Sequence, residues 1–129
     1  MTTSPDSSNA EKNILIVDDE ARIGRFVSMY LDRVGYNTST CQSVDEARRL
    51  LQSKKWSLVL TDLVMPRETG FDLLQWISEN HPDIPVVVLT AHSSPMVVEQ
   101  VNQTQAAAII NKPFSLGELY KTISLAMGD

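Results

Sequence analysis

The stretch Ile14-Leu15-Ile16-Val17-Asp18-Asp19-Glu20 places four consecutive apolar residues directly before three acids. Four residues are too few for a typical helix, and an unbroken apolar run lacks the alternation of a half-exposed strand, so the segment reads as a strand covered on both faces. The pattern recurs. Residues 58–60, 84–89 and 106–110 are largely apolar runs that end at polar or turn residues, and residues 36–40 form a more polar, β-branched run suited to a sheet edge. Between these runs, apolar residues fall at helical spacing: Ile23, Phe26, Val27, Tyr30, Leu31 and Val34, then Val44, Ala47, Leu50 and Leu51, then Leu73, Leu74 and Ile77. Met96, Val97 and Val101 continue the pattern after Pro95, and Leu116, Leu119, Ile123 and Met127 complete it. Gly35 supplies a left-handed cap for the first helix, and Ser115 with Glu118 reads as N-cap and capping-box partner of the last. Strand and helix alternate throughout, which predicts an α/β fold: a doubly wound (βα)5 arrangement with an open parallel sheet between helical layers. Ligands of such folds bind at the carboxyl ends of the strands.

Composition bounds the rest. A chain of 129 residues with 43% hydrophobic and 21% charged residues is one ordinary soluble domain, and no apolar run approaches the length of a membrane span. Residues 1–12 are polar and rich in Ser, Thr and Asn, without the basic start and apolar stretch of a secretory signal. They read as a flexible leader to a domain spanning residues 13–128, in a cytoplasmic setting. Cys41 is the single cysteine, which excludes an internal disulfide and a cysteine-based metal site and leaves a small packed side chain. A net charge of −5 and a pI near 4.9 argue against direct nucleic-acid binding, which needs a basic surface.

The residues that follow the strands carry the chemistry. Asp18, Asp19 and Glu20 follow the first strand, Asp62 the third, Thr90 the fourth and Lys112 the fifth. A parallel sheet brings these ends to one edge, so acids, a hydroxyl and an amine converge there from distant parts of the chain. Clustered carboxylates repel unless a cation offsets them, and oxygen ligands of this kind suit Mg²⁺ or Mn²⁺. A carboxylate in such a setting can attack phosphorus as a nucleophile to give an aspartyl phosphate, with the metal, ammonium and hydroxyl stabilising the phosphoryl oxygens. No general base is required, because the nucleophile is already ionised.

The sequence from Asn13 to about Met127 resembles the response regulator receiver family of two-component signal transduction. The landmarks are Ile14-Leu15-Ile16-Val17-Asp18-Asp19-Glu20, Leu60-Thr61-Asp62-Leu63-Val64-Met65-Pro66 followed by Gly70, Val88-Leu89-Thr90-Ala91, and Asn111-Lys112-Pro113-Phe114. The resemblance implies a flavodoxin-like sheet in the order 2-1-3-4-5. It implies Asp62 as phosphoacceptor, with Asp19, Asp62 and the Val64 backbone carbonyl ligating Mg²⁺ or Mn²⁺ and Asp18 acting largely through a coordinated water. Thr90 would bond a phosphoryl oxygen, Lys112 would pair with the phosphoryl group or Asp62, and the Lys112–Pro113 peptide would be cis. By the same resemblance the donor is a sensor histidine kinase or histidine phosphotransfer protein. The output goes to a downstream effector or homodimer through the face of the fourth helix, fifth strand and fifth helix. The chain would catalyse only its own phosphotransfer and autodephosphorylation, and it would bind neither DNA nor a membrane. Val64 and His92, each two residues beyond a site residue, would tune access of water to the acyl phosphate. Two positions depart from the family pattern: Ile109 stands where an aromatic residue is frequent, and Gln105 where a small glycine is.

Plainer readings attach to each residue singly. Asp19 precedes a helical period and suits an N-cap, Thr90 suits a strand end, Lys112 an exposed charge, and His81, before Pro82, a solvated turn. An aspartate-nucleophile phosphatase of the haloacid dehalogenase type shares the acyl-phosphate chemistry, but it expects an Asp-x-Asp motif on the first strand, where this chain has Asp18-Asp19-Glu20. A degenerate receiver acting only as an interaction module is the remaining alternative.

Overall fold

The computed structural model describes residues 12–128; all of the expected leader but Lys12 lies outside the described residues. Five strands, β1 (Asn13–Val17), β2 (Asn37–Cys41), β3 (Leu58–Thr61), β4 (Val86–Thr90) and β5 (Ala108–Asn111), form one sheet in the order β2-β1-β3-β4-β5. Every pairing is parallel. The helices are α1 (Ala21–Arg33), α2 (Val44–Leu51), α3 (Gly70–Asn80), α4 (Pro95–Asn102) and α5 (Leu116–Ala126). This is the doubly wound α/β architecture expected from the alternating pattern.

Alternation within each strand divides the core in two. Ile14 and Ile16 point to one face, where Val27 and Leu31 of α1 and Leu119 and Ile123 of α5 close over them. Leu15 and Val17 point to the other, against Ala47 and Leu51 of α2, Leu73, Leu74 and Ile77 of α3, and Val101 of α4. Both faces are therefore dry, which is why β3 and β4 are buried at every position. β2 is the exposed edge that its polar sequence predicts.

Two strands begin later than their apolar runs. Pro85 has no N–H to give a ladder, and the Ile84 N–H is taken by the His81 carbonyl in a turn, so β4 starts at Val86. Likewise the Ala106 N–H donates to Thr104 Oγ1, which delays β5 to Ala108. Helix ends follow local chemistry. Gly35 adopts φ 107° beyond α1, and the Tyr36 N–H closes onto the Leu31 carbonyl. Ser115 Oγ accepts the Glu118 N–H as expected, but without the return bond. The complete capping box sits instead at α3, where Thr69 and Asp72 satisfy each other's backbone N–H; such a cap is worth about 1 kcal/mol. His81, expected in a solvated turn, is half-buried at the end of α3 with its ring 5.3 Å from that of Trp76.

Cys41 is packed where β2 meets α2, and burial pushes its thiol from 9.0 up to about 12. In mildly alkaline solution the folded protein then holds roughly a thousandfold less thiolate than an exposed cysteine would. Alkylation by iodoacetamide should accordingly proceed only on unfolding, which mass spectrometry with and without denaturant reads directly; rapid labelling of the folded chain would contradict this packing. The sign for stability follows: the advantage of the neutral thiol is complete below pH 9.0 and is lost as pH rises toward about 12.

Candidate functional site

Backbone pairing decides where the strand-end residues lie. Val17 of β1 is in register with Thr61 of β3, so the next residues, Asp18 and Asp62, leave the sheet side by side. The ladder runs one residue past the strands. The Asp62 N–H donates to the Val17 carbonyl at 2.9 Å, the Asp18 N–H to the Cys41 carbonyl at 3.1 Å, and the Lys112 N–H to the Thr90 carbonyl at 2.9 Å. Each of these side chains is therefore carried by backbone that cannot shift without breaking a sheet bond.

Asp62 is only 6% exposed. Its Oδ1 accepts the N–H groups of Leu63, at 2.6 Å, and Val64, at 3.3 Å, while Oδ2 accepts from Lys112 Nζ at 2.9 Å. Asp18, 2% exposed, divides its oxygens the same way: Oδ1 takes the Glu20 N–H and Oδ2 takes Lys112 Nζ, both at 2.9 Å. Burial raises the Asp18 carboxyl above its ordinary value, with the bonds from Lys112 and the Glu20 N–H restraining the shift. Burial alone would lower the Lys112 ammonium, but its bonds to Asp18 and Asp62 outweigh that and hold it above the usual lysine value. Lys112 is thus a fixed positive charge between two buried carboxylates. Thr90 is fully buried, and its Oγ1 accepts the His92 N–H at 3.0 Å. The Lys112–Pro113 peptide is cis.

Asp18, Glu20 and Asp62 each bring a carboxylate oxygen into one cluster, all within 4.8 Å of one another. Glu20 also lies 3.8 Å from Lys112 Nζ. The sequence reading gave Glu20 no ligand role; its position as the third acid of the run after β1 was the available signal. Asp19 is exposed and is not among the acids of this cluster. Nor is Asp19 the N-cap of α1: Glu20 occupies the position, without a side-chain cap bond. Val64 is exposed beside Asp62, and His92 is exposed beyond Thr90.

The donor set suits a hard divalent cation. Three carboxylates face the single Lys112 ammonium, so the cluster retains an excess of negative charge that a cation of this class would offset. A hollow of about 450 Å³ at the opposite edge of the sheet, lined by Ser57, Ile84, Pro85 and Asp83 among others, gathers no comparable set of charged groups.

Comparison with known proteins bears on the acid cluster. The family model described as the response regulator receiver domain matches residues 14–124. The chain belongs to the response regulator receiver family. It is 35% identical to the response regulator protein PilR of Pseudomonas aeruginosa over 118 residues, which are 92% of the chain but 26% of PilR. It is 30% identical to the response regulator receiver protein CpdR of Brucella abortus over 87% of the chain and 93% of CpdR. Among solved structures, the receiver fold matches the chemotaxis response regulator CheY4 of Vibrio cholerae with a TM-score of 0.83 at 27% identity, covering 89% of this chain and 98% of CheY4. The beryllofluoride-activated NtrC4 receiver domain dimer matches with a TM-score of 0.85 at 30% identity, covering 90% and 96%. This receiver domain is thus a signalling domain of the two-component class, not a conventional enzyme. It spans about a quarter of PilR and of the DNA-binding transcriptional regulator NtrC of Rhizobium meliloti, 26% and 24% respectively. Among its described residues no helix is long and apolar enough to cross a membrane.

Proposed function

We propose that residues 13–128 form a phosphoacceptor receiver that takes a phosphoryl group from a histidine kinase or histidine phosphotransfer protein onto Asp62. The observation that carries this reading is the Asp62 carboxylate itself: buried, bonded to the Lys112 ammonium through Oδ2, and oriented through Oδ1 by two backbone N–H groups. A carboxylate oxygen of Asp62 forms the new bond to phosphorus as the bond from phosphorus to the donor's nitrogen or oxygen breaks, the electron pair leaving with the donor. Lys112, already between Asp62 and Asp18, would pair with phosphoryl oxygens, and the Thr90 hydroxyl would bond one of them.

Asp18, Asp62 and Glu20 would hold Mg²⁺ or Mn²⁺, with Asp19 and the Val64 carbonyl as the further ligands implied by family resemblance. Bound there, the cation supplies positive charge against the oxygens of the transferred group. The output face is read in the same way. Met96 of α4 and Leu125 of α5 are 71% and 67% exposed, and Tyr120 of α5 is 39% exposed, which supports an effector or homodimer contact across α4, β5 and α5. The dimeric state named for the NtrC4 receiver domain supports a homodimer as one such contact. Ile109 of β5 is partly buried against the α2–α4 side of the core, so switching would run through Thr90 and the loop after it instead of an aromatic at this position.

Incubation with acetyl phosphate and Mg²⁺, followed by intact-mass measurement and peptide mapping, tests the reading. One phosphoryl adduct on the Asp62 peptide, lost when the metal is chelated, is the expected result. Absence of an adduct with acetyl phosphate and with a panel of phosphorylated kinases would overturn it in favour of a phosphorylation-independent interaction module.

A further inference from the structure

The loop between Asp62 and α3 does more than connect, because its first two N–H groups orient the Asp62 carboxylate. Leu63 and Met65 anchor its beginning in the core beside Val44, Ala47 and Leu51 of α2. Beyond Met65 the chain emerges: Pro66 and Arg67 are exposed, and Arg67 adopts φ 72°, a left-handed conformation that an ordinary side chain disfavours. Glu68 follows and is held by a two-bond fork. Arg48 Nη1 donates to Glu68 Oε1 at 2.7 Å and Nη2 to Oε2 at 2.6 Å. Among the described residues, this is the one side-chain bond from residues 66–68 to another element. Both side chains are partly sheltered, at 27% and 39% exposure, and the planar fork fixes direction as well as distance.

We infer that Arg48 and Glu68 are positioning residues: their fork straps the loop after Asp62 to α2 and so sets the angle at which the Asp62 carboxylate is presented. The inference rests on Asp62 being the phosphoacceptor. Neither side chain touches the acid cluster; the effect reaches it along the backbone from Glu68 to the Leu63 and Val64 N–H groups. The Gly70 N–H bond to the Leu63 carbonyl, at 2.8 Å, closes the loop and makes it move as a unit.

The test is phosphoryl uptake from acetyl phosphate at saturating Mg²⁺, resolved into maximal rate and donor half-saturation, together with amide hydrogen exchange at Leu63 and Val64. Arg48→Ala and Glu68→Ala should each lower the maximal rate about fivefold with little change in half-saturation, and Arg48→Lys, which cannot form the fork, should fall between. Exchange at the two amides should quicken in step. The reversed pair Arg48→Glu with Glu68→Arg should recover most of the rate and protection, though not all, since Asp45 lies 3.9 Å from Arg48 and would repel a carboxylate there. Single variants that keep the wild-type rate and exchange would overturn the inference, as would a reversed pair no better than either single change. If the wild-type protein takes up no phosphoryl group, the acceptor reading fails instead, and the exchange data alone decide whether the fork holds the loop.

Discussion

Asp62→Asn should leave the domain folded while abolishing phosphoryl uptake. The amide is nearly the same shape, so Leu63 and Val64 can still donate to its oxygen, but it carries no charge and its oxygen is a poor nucleophile. Losing the attacking group costs far more than losing a stabilising neighbour, and a fall of at least ~1,000-fold, below detection in an intact-mass assay, is expected. Stability should move little, within about 1 kcal/mol, because two effects oppose each other. The amide presents a donor toward Lys112, which loses one bond of 2.9 Å yet keeps the equivalent bond to Asp18. At the same time one of three clustered negative charges disappears. Thermal unfolding alongside the uptake assay separates the two readouts. An adduct forming on the asparagine variant at an undiminished rate would move the acceptor to another carboxylate, with Asp18 the nearest buried one.

Gly70→Ala should be among the most damaging single substitutions in the chain, although the residue opens a helix, where alanine is ordinarily better than glycine by about 1 kcal/mol. A Cβ at Gly70 would lie 2.2 Å from the Asp62 carbonyl oxygen and 2.8 Å from Leu63 Cα. Both are backbone atoms, so no rotamer change can relieve the overlap. The loop must move, which breaks the Gly70 N–H bond to Leu63 and disturbs the N–H groups that orient Asp62. Overpacking of this kind costs typically ~3 kcal/mol, and in a domain of this size the midpoint should drop by on the order of 10 °C. Uptake should fall as well, at temperatures where the variant is still folded. Calorimetry and the acetyl phosphate assay decide it: a variant that melts within a degree or two of wild type would mean that the loop yields far more easily than its hydrogen bonds indicate. Propensity and tertiary contact predict opposite signs here, so the measurement discriminates between them.

Much of the site was legible because strand ends announce themselves. Apolar runs at residues 14–17 and 58–60 stop at Asp18 and at Thr61-Asp62, and a parallel sheet has only one edge to which such ends can go. Asp62, Asp18, Thr90 and Lys112 could therefore be grouped before any contact was known; the structure joins the side chains of Asp18, Asp62 and Lys112, and the Thr90 carbonyl accepts the Lys112 N–H. Glu20 and Asp19 were not separable this way. Which of two consecutive acids turns toward the cluster depends on the path of the chain from β1 into α1, and that is set by the Glu20 N–H bond to Asp18 Oδ1 and by the packing of α1 on the sheet. The Arg48–Glu68 fork left no trace in the sequence either, since the two residues lie 20 positions apart, one on α2 and one in the loop before α3, and meet only when α2 and α3 cover the same sheet face.

Side-chain chemistry along the chain determined the class of fold, the order of strands and helices, and which polar residues stand at the strand ends, because unbroken apolar runs and helical spacing each admit few partners for burial. Three-dimensional packing alone decided the rest: which acids share the cluster, that Lys112 bridges Asp18 and Asp62, that Gly70 has no room for a methyl group, and that Glu68 is tied to α2. Those outcomes depend on distances between backbone segments far apart in sequence, and such distances are fixed only once both helical layers have closed on the sheet.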